Sequence, residues 1–193
     1  DFIRKIDVSP DAVYWNEGGD AVVLACSDSF YVLRFNREAV NEAIARVAID
    51  PEEGIQDAFE VESSVNDVVG TSQWVGDCFL YTNSSNKLNY FVGGEVMTLV
   101  HLDESMYLLG FVPREDRVFL IDKAYNVVSY KLLLSVLNYQ TAVVRGDFEV
   151  VNSLLPAIPA SEHNAVARFL ESQGFKEEAL QVTSDPEHKL ELA

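Results

Sequence analysis

Over the first two thirds of the chain, apolar residues come in short runs separated by tight polar turns, and three stretches of that kind can be laid over one another. GDAVVLACSDSFYVLRF begins at Gly19, GDCFLYTNSSNKLNYFV at Gly76 and EDRVFLIDKAYNVVSYKL at Glu115. Each opens on a turn that holds an aspartate (Asp20, Asp77, Asp116), then runs strand, polar turn, strand. The second interval is 39 residues, close to the roughly 40–45 of a four-stranded propeller blade. The first is 57, and its excess falls between Arg37 and Gly54, where Ala39, Val40, Ala43, Ile44 and Val47 recur at helical spacing. That spacing predicts a short helix inserted in a blade loop.

With this period, Asn66 to Val75 reads as the inner strand of a blade, Cys78 to Thr82 and Lys87 to Phe91 as its next two strands, and Glu95 to Leu102 as the outer one. Gly93-Gly94 suits the hairpin before the outer strand, because primed turns need positive φ and glycine has no Cβ to clash. Met106 to Val112, Arg117 to Asp122 and Asn126 to Leu132 supply three strands of a further blade. Its fourth never arrives. In a closed ring such a vacancy is filled by a strand from the other end of the domain, which here would lie upstream. Residues 1–131 are therefore expected to form a partial WD40-type propeller of about three blades, with a helical insertion over about 37–54. A plain β-sandwich also has short, evenly spaced strands. The GH…WD signature is missing, since Trp74 is followed by Val75 and the aspartate comes at Asp77.

At Leu132 the period changes. Leu133, Leu134, Val136, Leu137, Ala142 and Val143 keep one broad apolar face up to Gly146, a helix stop. Phe148, Val151, Leu154 and Leu155 form the next face, closed by Pro156 and Pro159. Ser161 with Asn164 is placed to start a third helix over Ala165 to Ser172, ended by Gly174, and a fourth carries Phe175, Ala179, Leu180 and Val182. Phe148 and Phe175 recur 27 residues apart, so residues 132–193 read as the start of an α-solenoid of antiparallel helix pairs, with a small helical bundle as the alternative. The fold class is thus β then α.

Charge narrows the partners. The 193 residues carry 31 Asp and Glu against 14 Lys and Arg, a formal charge of −17. Such a surface repels phosphate backbones and anionic lipid, so nucleic acid is excluded and basic peptides or proteins remain. Part of the excess is local, with Asp50, Glu52, Glu53, Asp57, Glu60 and Glu62 inside thirteen positions. That run reads as a solvated loop or, less simply, as a docking patch. Cys26 and Cys78 both fall in apolar runs and read as buried thiols, and two cysteines make no disulfide framework. No apolar run approaches the roughly 18 residues of a membrane span, and no signal peptide opens the chain. Beginning at Asp1 without methionine, it is expected to be a piece of something longer, in the cytosol.

Catalytic chemistry is hard to find. His101, His163 and His188 are scattered without metal-ligand spacing. Asp185-Pro186-Glu187-His188 reads as a helix entry, and Ser27, Asp28 and Ser29 as a strand-joining turn. Neither a P-loop nor GxSxG occurs. No catalytic, cofactor-binding or metal-binding residue is assigned, and no cofactor is expected.

Longer runs carry a resemblance. SVNDVVGTSQWVGDCFLYTNSSNKLNYFVGGEVMTLVHLDESMYLLG, LSVLNYQTAVVRGDF, and VARFLESQGFKEEAL with SDPEHKLELA closely resemble the coatomer beta-prime family of WD-repeat vesicle-coat proteins. The resemblance covers the whole chain; Asp103-Glu104-Ser105 is more acidic than expected of the family, as a surface loop allows. It implies the later blades of a second propeller followed by the first solenoid helices. It further implies a scaffold subunit of the coat, acting by assembly in retrograde Golgi-to-ER and intra-Golgi transport. The implied partners are the alpha subunit and other coatomer subunits. Membrane association would be indirect, through a small GTPase and other coat subunits, with the protein cytoplasmic and peripheral on Golgi membrane and vesicles. The family's dilysine cargo site lies in its first propeller, which this chain lacks, so no cargo-binding residue is carried over. A propeller that recognises basic, dilysine-type tails independently of coat assembly is the alternative function, and an enzyme with its site in a propeller channel a third. Arg145, Glu149 and Lys176 are expected on the solvent face of the arm, and Leu137 and Phe169 in its core.

Overall fold

The computed structural model describes residues 2–46 and 49–192. Strands β1 (Ala12–Trp15), β2 (Ala21–Ala25), β3 (Phe30–Phe35) and β4 (Phe59–Val65) form one antiparallel sheet in sequence order. Strands β5 (Val69–Val75), β6 (Cys78–Asn83), β7 (Lys87–Val92) and β8 (Glu95–His101) form a second, also in order. Strands β9 (Tyr107–Val112), β10 (Arg117–Ile121) and β11 (Val127–Lys131) form a third sheet of only three strands. Among the described residues these are three propeller blades, the last with its outer position unpaired. Asp20, Asp77 and Asp116 all fall in the turn between a blade's first and second strands, so the repeat in the sequence is a repeat in space.

Blades pack face to face, and that decides which strands alternate. The middle blade is covered on both sides. Along β6, Cys78 and Leu80 face one core while Phe79 and Tyr81 face another, so the strand is a continuous apolar run. The core between the first and second blades is aromatic. Phe30 meets Tyr81 edge to face at 5.2 Å, and Trp74 lies 5.2 Å from Phe79. Inner strands are also tied side chain to backbone. Trp74 Nε1 donates to Tyr14 O at 2.9 Å, the Leu108 amide to Thr71 Oγ1 at 2.8 Å and the Phe111 amide to Gln73 Oε1 at 3.0 Å. The two end faces are open, with Trp15 and Val61 exposed on the first blade and Tyr107 and Leu109 on the third.

Between β3 and β4 sits α1 (Arg37–Arg46). Val47, expected on the same helical face, lies outside the described residues. From Asp50 to Ala58 the chain is not helical in the same sense. Asp50 pairs back to Gly54, and a 3-10 turn over Gln56–Ala58 leads into β4.

After β11 the chain is helical: α2 (Leu134–Arg145), α3 (Phe148–Leu154), α4 (His163–Ser172), α5 (Lys176–Val182) and α6 (Pro186–Leu192). Gly146 ends α2 in the left-handed region at φ 71°, and its amide returns to Ala142 and Val143 carbonyls. Asp147 caps α3 by accepting from the Val150 amide at 3.2 Å. Two local expectations differ. Ser161 and Asn164 do not open α4: a 3-10 turn over Ala160–Glu162 does, and Asn164 Oδ1 instead accepts from the Ser184 amide at 2.9 Å, tying α4 to the α5–α6 connection. Leu180 faces out, because α5 buries Ala179 and Val182 and only one side of so short a helix has a neighbour.

Candidate assembly surface

The three histidines do not converge. His101 ends β8, His163 opens α4 with Nε2 3.2 Å from Ile158 O, and His188 is buried with Nε2 3.0 Å from Glu171 Oε2 and Nδ1 3.2 Å from Thr183 Oγ1. Among the described residues no group of three or more His, Cys, Asp or Glu is arranged to hold a metal ion. Asp185 caps α6, accepting the Glu187 amide at 3.0 Å. Burial pushes the Cys78 thiol up to about 12, which keeps it protonated and unreactive. Cys26 was expected to be buried too; it stands half-exposed at the β2–β3 turn, because β2 ends at Ala25 and the Cys26 amide already closes the turn on Ser29 O at 2.8 Å.

Charge gathers instead at the end of the blades that carries the first-to-second strand turns. The three equivalent aspartates are used differently there. Asn16 Nδ2 donates to Asp20 Oδ1 at 2.6 Å, and Arg34 stands 3.9 Å away. The Asn16 bond, with smaller help from its own amide and the Arg34 and Arg145 guanidiniums, holds the Asp20 carboxyl below the usual carboxylate range. Asp77 is ion-paired with Arg145 at the end of α2. Asp116 contributes its backbone, accepting the Leu132 amide at 2.8 Å where β11 hands over to α2. Asp20, Arg34, Glu62, Asp77, Gly93 and Arg145 line a cleft of about 420 Å³ between two blades and the arm.

The acidic run divides between structural and open positions. Asp50 Oδ1 accepts the Glu52 and Glu53 amides at 2.8 Å each, Glu53 reaches Lys5 at 4.0 Å and Glu62 pairs with Arg34 Nε at 2.7 Å. Glu52, Asp57 and Glu60 face solvent. On the arm, Glu149 and Lys176 are exposed near the starts of α3 and α5, and Leu137 and Phe169 are buried. Arg145 is exposed as well, yet it is committed within the chain by its ion pair with Asp77. Nothing in the sequence signals that pair, because 68 residues separate its members. Nor does it reveal the close approach of Gly93 to the arm, since a Gly-Gly hairpin is complete in itself as turn chemistry. The Thr183 hydroxyl does stand beside the His188 imidazole, but both are buried, 2% and 3% exposed, out of reach of a substrate. What the described residues present at the surface is a charged rim, a stiff stack of sheets and an exposed helical face.

The chain matches known families along most of its length. A family model described as the COPA/B second beta-propeller matches residues 1–122, and one described as the COPA/B TPR domain matches residues 139–193. Coatomer subunit beta'-1 of Arabidopsis thaliana is 53% identical over 191 residues, 99% of this chain, and coatomer subunit beta'-2 of Oryza sativa subsp. japonica is 51% identical over the same length. The human coatomer subunit beta' is 49% identical over 193 residues, all of this chain. The chain spans 21% of the length of each of these relatives. The propeller model falls on the blades and the TPR-domain model on the helices that follow, and the chain belongs to the COPA/B family of coatomer subunits.

Proposed function

We propose that the chain is a building part of a coatomer beta-prime subunit, the propeller segment over residues 1–131 and the start of the solenoid over 132–193. It works by assembly rather than catalysis. Its partners are the coatomer alpha subunit and other coat subunits, and its place is the cytoplasmic face of Golgi membranes and vesicles, reached indirectly through a small GTPase and those subunits. Retrograde Golgi-to-ER and intra-Golgi transport is the process it serves. The observation that supports this most strongly is the similarity to beta-prime subunits at about half identity over the whole chain, strands and helices alike. Contacts that are individually weak become strong when many copies share one membrane, which suits a part that assembles reversibly.

The test uses exposed arm positions that make no tie to the blades. Glu149→Lys and Lys176→Glu are expected to weaken capture of the alpha subunit in a purified pull-down and leave the melting temperature unchanged. Equal capture by both folded variants and the parent counts against the reading.

A further inference from the structure

Where a chain passes from stacked sheets to stacked helices, relative motion is the ordinary expectation unless the contact is large and apolar. Here the contact is apolar and continuous. The core that holds Leu80, Leu88 and Val92 of the middle blade and Leu120 of the third is the same core that holds Val136 and Leu137 of α2 and Phe169 of α4.

The connection leaves no slack. Only Leu132 and Leu133 separate β11 from α2. Leu132 is buried with its amide on Asp116 O, and Leu133 O accepts the Val136 and Leu137 amides at 3.1 Å each.

Polar ties then fix the arm along the middle blade at separate points. Arg145 pairs with Asp77 in the β5–β6 turn, Thr141 Oγ1 lies 4.0 Å from Cys78 Sγ in β6, and Gln140 Nε2 donates to Met97 Sδ in β8 at 3.1 Å. Those three come from α2. From the end of α4, Gln173 Nε2 donates to Gly93 O at 2.9 Å. Swinging about either helix breaks the contacts of the other.

At Gly93 the arm leaves no room for a side chain. At φ 58°, a Cβ there would overlap Val144 Cγ2 of α2, whereas at Gly94, with φ 84°, a Cβ would meet nothing within 4 Å.

We propose that the strand-to-helix crossing at Leu132–Leu133 is a fixed elbow rather than a hinge, with Gly93 as the contact that permits the arm to seat. The direction of the arm relative to the blades is then set inside this segment, and any flexing of a longer assembly arises elsewhere. This holds whether or not the chain serves in a coat, since every contact is internal.

The experiment measures the distance distribution between spin labels at Ser84→Cys and Glu177→Cys in a Cys26→Ser background, in the longest chain that carries this sequence. A single narrow distribution is expected. Gly93→Ala is expected to at least double its width, and Gly94→Ala, which also places an alanine at positive φ in the same hairpin but meets nothing of the arm, to leave it narrow. Arg145→Ala combined with Gln173→Ala removes two ties with no steric intrusion and is expected to widen it too, which keeps the test decisive should Gly93→Ala fail to fold. A broad or two-peaked distribution in the parent, or an unchanged one in the folded Gly93→Ala variant or the Arg145/Gln173 double variant, overturns the elbow.

Discussion

The rings of Phe148 and Phe175 meet edge to face, centroids 4.9 Å apart and planes inclined by 73°. The two residues occupy corresponding places at the starts of successive helical units, each just after the glycine-containing turn that ends the helix before. The repeat that spaces them 27 residues apart in the sequence therefore ends in a contact between its own copies. Stacked units hold together in this way, through nearest-neighbour interfaces. A double-mutant cycle with Phe148→Ala and Phe175→Ala should return a coupling of about 1 kcal/mol from denaturant unfolding, the usual size for an aromatic pair.

Leu137 and Phe169 stand in the core shared by arm and blades, 3% and 2% exposed. Placing a carboxylate at either buries an unpaired charge, and each of Leu137→Asp and Phe169→Asp should cost on the order of 4 kcal/mol or more. Because that core also contains Leu80, Leu88 and Leu120, amide exchange should quicken in β6, β7 and β10 as well as in the helices. Exchange confined to the helices would show that the two parts unfold separately.

Trp74 ties the middle blade to the first through its indole N–H on Tyr14 O. Trp74→Phe keeps an aromatic ring against Phe79 but removes the donor together with the volume of the indole's second ring. A loss of about 2 kcal/mol is expected, from the Tyr14 carbonyl left short of a partner and from the space left behind. A variant as stable as the parent would mean that this bond adds nothing between blades.

Asp20 titrates below its ordinary value of 3.8, chiefly because Asn16 hydrogen-bonds its carboxylate. With a depressed folded value, the unfolded chain binds the proton first as pH falls. The stabilisation is thus present above pH 3.8 and is lost as pH drops through the folded value. Asn16→Ala should raise the Asp20 carboxyl toward 3.8 in an NMR titration and flatten the stability-versus-pH curve below that pH. The Asp122 carboxyl, lowered by Asn126 across the turn between the second and third strands of the third blade, should remain where it was and serves as the internal reference.

What could be read from the residues in order was whatever local physics governs. Short apolar runs and the polar turns between them placed all three strands of the third blade and all four of the second, because a run's length and a turn's chemistry are set within a few residues. Gly146 and Gly174 marked helix ends for the same reason. The acidic loop before β4 marks where that reading thins, since helical spacing alone does not say where a helix stops when no cap follows.

The tertiary structure decided how distant pieces use the same residue types. Asp20, Asp77 and Asp116 are alike in sequence context, yet one is held by a neighbouring amide, one by an arginine 68 residues away and one acts through its backbone. Leu180 and Leu137 are both leucines on amphipathic helices, and only packing leaves the first exposed and the second inside. The seating of the arm on Gly93 is of this kind as well. It depends on the shape of two surfaces that meet only after each has folded, and short-range patterns along a chain carry no record of such shapes.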